Sequence, residues 1–195
     1  MSIAISAIVL AAGKSSRMGI DNKLLLEFNG KAMVSHVIDQ LVLSNVHQII
    51  VVLGNEAEQV RKSITQNVEF IDNADYNYGL STSLIAGINA LPPDCEGVMI
   101  CLGDMPYITA DNYNMLIENY QEDKIIAPTM DGKVGNPIIF SNSYFEKLLK
   151  LSGDKGAKKI MKEYPEHVIE VDVGSTAIFN DIDTPDAYYE TLKEI

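Results

Sequence analysis

Short runs of consecutive apolar residues recur along this chain. They lie at residues 3–10, 49–53, 68–71, 98–102 and 125–127. A run that is apolar at every position, rather than at alternate ones, is typical of a strand covered on both faces, as in a parallel sheet. The pattern therefore predicts buried parallel strands.

Between these runs the apolar residues recur at intervals of three and four, which is the spacing of one helix face. Three segments show it clearly: residues 33–42, 84–91 and 113–120. Thr109 stands where an N-cap belongs, just before the third segment. Pro92 and Pro93 end the second segment.

The pattern becomes less regular after Pro128. Residues 129–133 predict a turn, residues 148–161 predict helix on both sides of Gly153, and residues 168–173 predict a late strand. Thr184-Pro185 then predicts the start of a final helix, with threonine as N-cap and proline in the first turn.

This alternation predicts an α/β fold: an open, mostly parallel twisted sheet with helices on both faces, of the Rossmann-like kind. No linker or repeat divides the chain, so residues 1–195 are predicted to form one domain. Ligands of such folds bind at the carboxyl ends of the strands.

Composition narrows the classes of function. The 195 residues are 47% hydrophobic, enough for one substantial core, and the formal net charge of −12 argues against broad nucleic-acid binding. No apolar run approaches the ~20 residues that span a bilayer, and residues 3–12 lack the basic flank of a signal peptide. Cys95 and Cys101 lack metal-type spacing and fit reduced core residues. We therefore expect a cytoplasmic protein with no membrane partner.

The loop after the first strand is the first candidate site. Its small residues would let a ligand approach backbone amides, and its cations would attract phosphate. The nucleotide-binding candidates here are Leu10, Ala11, Ala12, Gly13, Lys14, Ser15, Ser16, Arg17 and Lys23. Gly13-Lys14-Ser15 resembles the end of a P-loop, but Ile8 stands where that motif needs glycine, and the dinucleotide-binding glycine pattern is absent as well. An ordinary solvated turn is the alternative.

Acidic residues provide candidate metal ligands. Asp104 follows the strand at 98–102, and carboxylates at a strand end suit Mg²⁺, which takes one or two of them together with phosphate oxygens. Asp181 and Asp183 point to one side if their segment is extended, and they precede a helix. Turn formation or helix capping are the alternatives for all three.

Two further glycine-containing turns open helices. Gly79, Ser81 and Ser83 lie in the first and residues 153–156 form the second. Each could offer amides to phosphate or sugar oxygens, or could act simply as an N-cap.

Taken in order, these motifs resemble the MobA/MocA-type nucleotidyltransferase family, which includes the molybdenum cofactor cytidylyl- and guanylyltransferases. The resemblance spans nearly the whole chain. Its residues are Leu10–Gly13, Ser16–Gly19, Lys23, Gly79–Leu84, Gly103–Pro106, Gly135–Pro137, Gly153–Ala157 and Asp181–Pro185.

The resemblance implies an enzyme that transfers a nucleotidyl group from a nucleoside triphosphate to a phosphorylated acceptor and releases pyrophosphate, with Mg²⁺ as cofactor. Arg17, Lys23 and Asp104 would be catalytic. Asp104, Asp183 and Asp181 would ligate the metal, the residues of the first loop with Gly79, Ser81 and Ser83 would bind the nucleotide, and Asn136, Asp154, Lys155 and Gly156 would border the acceptor.

Ala12 resembles the cytidylyltransferases of the family, whose guanylyltransferases carry a second glycine there, so CTP is favoured. Asn136 stands where histidine is frequent and Lys158 where arginine is usual. Both departures lie in the acceptor half, where molybdopterin is the first candidate. A sugar- or polyol-phosphate nucleotidyltransferase is the alternative enzyme. A non-catalytic protein that delivers molybdenum cofactor to a molybdoenzyme client is the alternative from another class.

Overall fold

The fold was analysed in a computed structural model, which describes residues 3–15, 18, 22–154 and 156–191. Ten strands are formed there: β1 (Ile5–Ala11), β2 (Glu27–Phe28), β3 (Lys31–Ala32), β4 (Gln48–Leu53), β5 (Glu69–Asp72), β6 (Gly97–Leu102), β7 (Ile125–Met130), β8 (Lys133–Val134), β9 (Ile138–Ser141) and β10 (Val168–Asp172).

Seven α-helices accompany them in the described residues: α1 (Met33–Val42), α2 (Ala57–Ser63), α3 (Leu80–Asn89), α4 (Ala110–Glu118), α5 (Phe145–Leu148), α6 (Lys158–Glu163) and α7 (Pro185–Thr191). Short 3-10 turns cover Lys23–Leu25, Tyr76–Tyr78, Asn142–Tyr144, Pro165–His167 and Thr176–Phe179. None of the described helices is long and apolar enough to cross a membrane.

The main sheet has the strand order β10-β7-β9-β6-β1-β4-β5, with β8 paired to β7. Strands β6, β1, β4 and β5 run parallel, as do β7 and β10, while β9 runs antiparallel between β6 and β7. The predicted open, mostly parallel sheet is therefore confirmed, and its two antiparallel strands, β8 and β9, were not among the predicted strands.

Helices cover both faces of the sheet, as predicted. Val34, Val37 and Leu41 of α1 belong to the core on one face, together with Tyr113 of α4. The opposite face is covered by α3, α5 and α6, whose apolar side chains Leu84, Ile88, Leu148 and Ile160 form a second core.

The helix starts at Thr109 and Thr184 are as predicted. The Thr109 hydroxyl accepts the N–H of Asn112, whose side chain in turn accepts the N–H of Thr109, so the two form a capping box. The Ala187 N–H donates to the Thr184 hydroxyl at 3.2 Å, and Pro185 is the first residue of α7.

Two predicted boundaries are wrong. Residues 129–130 continue β7, and only Asp131-Gly132 turn the chain, because both have positive φ (52° and 71°) and such a pair closes a two-residue hairpin. Helix does not extend across 148–161, because α5 ends at Leu148 and α6 begins at Lys158, with Gly153 at φ 67° between them.

Candidate active site

Three carboxylates meet beyond the carboxyl end of the central strand β6. Asp104 follows that strand, and Asp181 and Asp183 lie just before α7. The Ile182 N–H donates to the Asp104 carbonyl oxygen at 3.1 Å, which ties the two segments together through the main chain. One oxygen from each of the three carboxylates lies within 4.8 Å of the others. We call this group the acid cluster.

Lys23 contacts the acid cluster directly. Its Nζ forms ion pairs with both Asp104 and Asp183. Burial by itself would lower the pKa of the ammonium group, but the charges and hydrogen bonds of the two carboxylates outweigh it, so the pKa of Lys23 is raised. Lys23 therefore stays positively charged at the floor of the site.

The segment that carries Lys23 is fixed from both sides. Asn22 caps its 3-10 turn by accepting the N–H of Leu24 at 3.1 Å, and the Lys23 N–H donates to the Ser15 hydroxyl at 3.1 Å. Ser15 itself has a positive φ of 52°. Ser15, in the described part of the first loop, is thus held beside the lysine by a hydrogen bond across the loop.

The acid cluster has the character of a divalent-metal site. Oxygen ligands from carboxylates are what Mg²⁺ prefers in proteins. Asp104 is buried, and its Oδ1 has no hydrogen-bond partner among the described residues. Partial loss of hydration raises the pKa of Asp181, although much of that residue is exposed, and the neighbouring Asp183 and Asp104 raise it further. Three crowded carboxylates with one lysine leave negative charge that a cation would neutralise, so the residues fit a divalent metal.

A cleft of about 360 Å³ opens next to the acid cluster. Ten residues predicted for the site line it: Leu10, Ala12, Gly13, Lys14, Ser15, Lys23, Gly79, Ser83, Asp104 and Asp154. A Cβ on Gly13 would meet no protein atom within 4 Å, so this glycine leaves the cleft open instead of serving internal packing. The structure therefore brings the first loop, the metal candidate and both glycine-containing turns to one cavity.

The two glycine-containing turns touch each other. Gly79 has φ 112°, and a Cβ there would lie 2.5 Å from the carbonyl carbon of Gly153. The Ser81 N–H donates to the Gly153 carbonyl oxygen at 3.1 Å. Only glycine allows this approach, which brings Asp154 to the lining of the cleft.

The remaining predicted residues lie elsewhere. Ala11 is buried at the end of β1, and Ser81 is buried at the start of α3, so neither lines the cleft. Asn136 donates its N–H to the Ile178 carbonyl oxygen at 3.0 Å, and Gly156 lies against Leu80. Ser16, Arg17 and Lys155 lie outside the described residues, so their predicted roles stay predictions.

Several residues at the site were missed by the sequence reasoning. Tyr76 lines the cleft from the turn after β5. Asn73 is buried at the end of the same strand, and its Nδ2 donates to the hydroxyls of Thr82 (2.9 Å) and Ser83 (3.0 Å). The one available signal was that Asn73 follows an apolar run, as Asp104 does.

Lys158 interacts electrostatically with Asp181 of the acid cluster. The lysine is half-buried at the start of α6, and loss of hydration lowers its pKa, while the charge of Asp181 opposes that shift. The cluster therefore has Lys23 next to Asp104 and Asp183, and Lys158 within electrostatic reach of Asp181.

Comparison with known proteins agrees with this geometry. Residues 7–168 match the MobA-like NTP transferase domain. The molybdenum cofactor cytidylyltransferase of Escherichia coli is 30% identical over 98% of this chain and 96% of its own. The nicotine blue oxidoreductase of Paenarthrobacter nicotinovorans is 22% identical over 96% of both chains. The bifunctional protein GlmU of Lactobacillus johnsonii is 33% identical over 132 residues, which is 67% of this chain but only 28% of that relative.

Solved structures share the fold over the whole chain. Rv0371c of Mycobacterium tuberculosis, solved as a complex with manganese, has a TM-score of 0.85 at 27% identity and covers 98% of this chain and 100% of its own. A nucleotidyl transferase from Methanothermobacter has a TM-score of 0.84 at 22% identity, covering 98% and 99%. From the matched domain and the full-length relative, the chain belongs to the MobA-like NTP transferase family.

Proposed function

We propose that this protein is a Mg²⁺-dependent nucleotidyltransferase that transfers a cytidylyl group from CTP to a phosphorylated acceptor, with molybdopterin as the first candidate. One observation carries the proposal: Lys23 and Asp104, through which the acid cluster reaches the cavity, line the same cleft as the first loop and Gly79. A metal-binding site, a fixed cation and open backbone amides in one cavity match the chemistry of a nucleoside triphosphate.

Each part of the site has a role in binding. Asp104 and Asp183, with Asp181 beside them, would hold Mg²⁺, which would neutralise charge on the reacting phosphates. Lys23, together with the amides of residues 13–15, would bind the triphosphate. Arg17, from the same loop, is proposed as a second cation for the triphosphate.

The reaction is an in-line displacement at the α-phosphorus. An acceptor phosphate oxygen forms a bond to that phosphorus, the bond to the bridging α,β oxygen breaks, and pyrophosphate leaves with the bond's electron pair. The second pKa of a phosphate monoester is about 6, so the attacking oxygen is already ionised near neutral pH and no general base is needed. Lys23 stabilises the charge that develops on pyrophosphate, and positioning provides the rest of the acceleration.

The preference for CTP rests on Ala12. Ala12 lines the cleft, and its methyl group packs against Gly54 and occupies space that glycine at position 12 would leave open. The full-length relative from Escherichia coli is a cytidylyltransferase, which supports the smaller pyrimidine base.

The acceptor is proposed to bind beside Asp154 and Gly156, between the second glycine-containing turn and the acid cluster, with Lys155 and Asn136 bordering it. Lys158 adds a positive charge near Asp181 on that side, which suits a phosphorylated acceptor. Matches to GlmU proteins over part of their length keep sugar phosphates as the second acceptor class.

A two-stage experiment tests the proposal. Thermal shifts with CTP, GTP, ATP and UTP, with and without Mg²⁺, measure nucleotide choice, because ligand binding raises apparent stability by mass action. Pyrophosphate release is then followed with the preferred nucleotide and either molybdopterin or a panel of sugar and polyol phosphates. We expect a Mg²⁺-dependent shift that is largest with CTP, and release with molybdopterin.

Other results point elsewhere. Equal shifts with all four nucleotides contradict the role of Ala12. If pyrophosphate is released with a sugar phosphate but not with molybdopterin, the acceptor is a sugar phosphate. CTP binding without release for any acceptor favours the non-catalytic delivery protein.

A further inference from the structure

One wall of the cleft is built from three chain segments that meet at Gly54. This glycine follows β4, and a Cβ built on it would lie 2.7 Å from the Cβ of Ala12 and 2.7 Å from the Cβ of Tyr76. Its φ is not in the left-handed region, so space and not backbone conformation requires glycine here. Tyr76 and Ala12 therefore both pack closely against Gly54.

The loop that carries Tyr76 is held by hydrogen bonds. The Asp75 N–H donates to the Asn73 side-chain oxygen at 3.0 Å, and the Tyr78 N–H donates to the Asp75 carbonyl oxygen at 2.9 Å. The Asn73 amide is bonded in turn to hydroxyls at the start of α3. Tyr76 is half-buried and lines the cleft, whereas Tyr78, in the same short turn, is 74% exposed and does not.

The position of Tyr76 in the sheet determines which part of a nucleotide it can meet. Asp104 follows β6, whereas Tyr76 follows β5, three strands away in the order β6-β1-β4-β5. Adjacent strands lie about 4.8 Å apart, so the two strand ends are about 14 Å apart. A nucleotide whose phosphates bind at Asp104 and Lys23 is long enough for its base to reach Tyr76 in the same cleft.

The surroundings of the ring fit a base better than a phosphate. The ring packs against Gly54 and shares the cleft wall with the apolar Ala12, and Lys14 Nζ lies 6.0 Å from the ring centroid, within range of a cation–π contact. Asp104 of the acid cluster follows β6, three strands away from β5 in the sheet. An aromatic side chain in such a wall offers a π-face to a nucleobase.

We propose that Tyr76 is the aromatic contact of the nucleobase, seated by Gly54 against Ala12, and that it contributes to nucleotide affinity without contacting the phosphates. This inference rests on the proposed nucleotide binding and adds a base-contacting residue to it. Stacking on an aromatic side chain tolerates any base, so Tyr76 sets affinity, and discrimination between bases is left to the other wall residues.

The test separates the base from the phosphates by using two ligands. Binding of CTP and of inorganic tripolyphosphate, both with Mg²⁺, is measured by calorimetry for the wild type, Tyr76→Leu and Tyr76→Phe. Leucine keeps apolar packing against Gly54 but removes the ring. We expect Tyr76→Leu to weaken CTP binding about tenfold and to leave tripolyphosphate unchanged. Tyr76→Phe should bind both ligands as the wild type does.

Tyr78→Leu is the matched control, because it removes an exposed tyrosine from the same turn, and it should bind both ligands normally. CTP affinity that is unchanged in Tyr76→Leu overturns the inference. Equal weakening of CTP and tripolyphosphate overturns it as well, since the ring would then support the loop as a whole. A wild-type protein that binds tripolyphosphate but no nucleotide overturns the proposed function and this inference with it.

Discussion

The parallel strands end in two polar clusters of opposite character. At their carboxyl ends lies the acid cluster with Lys23. Near their amino ends lies a second group, which we call the aromatic cluster: Tyr144, Lys147, Tyr164 and His167. The Tyr144 hydroxyl contacts His167 Nδ1 and the Asp123 carbonyl oxygen, and Lys147 Nζ lies 5.0 Å from the Tyr144 ring centroid and 5.1 Å from that of Tyr164.

The two clusters differ in how far their side chains satisfy one another, and this difference distinguishes a ligand-binding site from a stabilising contact. In the aromatic cluster a donor meets an acceptor and a cation meets ring faces, so its members satisfy one another. In the acid cluster three like charges are crowded and one buried carboxylate oxygen has no partner among the described residues. Crowding of like charges costs stability, and such sites are typical of ligand binding.

The strongest test of this contrast is Asp104→Ala. Removing the buried carboxylate should lower the turnover number on the order of 10³-fold, because charge neutralisation at the phosphates is lost. The melting temperature should change little, since repulsion within the cluster is relieved at the same time. Pyrophosphate release and thermal melting measure the two effects. Asp94→Ala removes an exposed acid as the control, and wild-type activity in Asp104→Ala would rule out the metal assignment.

Lys23→Ala should have the next largest effect. Loss of a charge-assisted contact with the triphosphate should raise KM for the nucleotide on the order of 10–100-fold. The free energy of unfolding should also fall, because Asp104 and Asp183 lose the cation between them. Steady-state kinetics and urea unfolding measure both. Lys31→Ala, which breaks a more exposed ion pair with Asp39, is the control, and unchanged nucleotide kinetics in Lys23→Ala would remove this lysine from the site.

Lys158→Ala tests the acceptor side. We expect KM for the acceptor to rise about tenfold while KM for the nucleotide stays constant, because a single charge-assisted contact contributes about 1.5 kcal/mol or more. Lys158→Arg should restore the acceptor KM. The adjacent Lys159 pairs with Glu163 at 3.2 Å on the surface of α6, so Lys159→Ala is the matched control. If only the KM for the nucleotide rose, Lys158 would act on the nucleotide and its proposed role in acceptor binding would be wrong.

Tyr144→Phe tests the opposite end of the sheet and should have the smallest effect. Losing the hydroxyl removes the contact with His167, so the free energy of unfolding should fall by about 1 kcal/mol. Pyrophosphate release should not change. Urea unfolding measures the free energy of unfolding. The control is Tyr189→Phe, on a side chain that is 60% exposed, and it should leave that free energy unchanged. Impaired catalysis in Tyr144→Phe would contradict the structural role of the aromatic cluster.

Sequence reasoning predicted the elements that carry the site but not all of its contacts. The apolar runs and the helical spacing determine local structure, so the strand that precedes Asp104 and the cap at Thr109 followed from short stretches of chain. Helix α2 was missed, because Val60 is its only buried residue and provides no periodic signal.

Contacts between distant segments could not be predicted in the same way. Strand β9 lies antiparallel between β6 and β7, and neither its place nor its direction could be predicted because an apolar run carries no direction. Tyr76 reaches the cleft only because β5 lies on the far side of β4, and Lys158 lies near Asp181 only because α6 packs on that face of the sheet. The order of the strands in the sheet determines which of these distant residues become neighbours.

The hydrogen bond from the Ile182 N–H to the Asp104 carbonyl oxygen joins residues 78 positions apart. A ribosome that has released only the first 180 residues has already produced the loop, Lys23 and Asp104, yet not two of the three carboxylates. Closing so long a loop has an entropic cost that must be met before the contacts across it form. The acid cluster is therefore complete only after the chain has been synthesised through residue 183, and a product that ends before Asp181 contains only one of its three carboxylates.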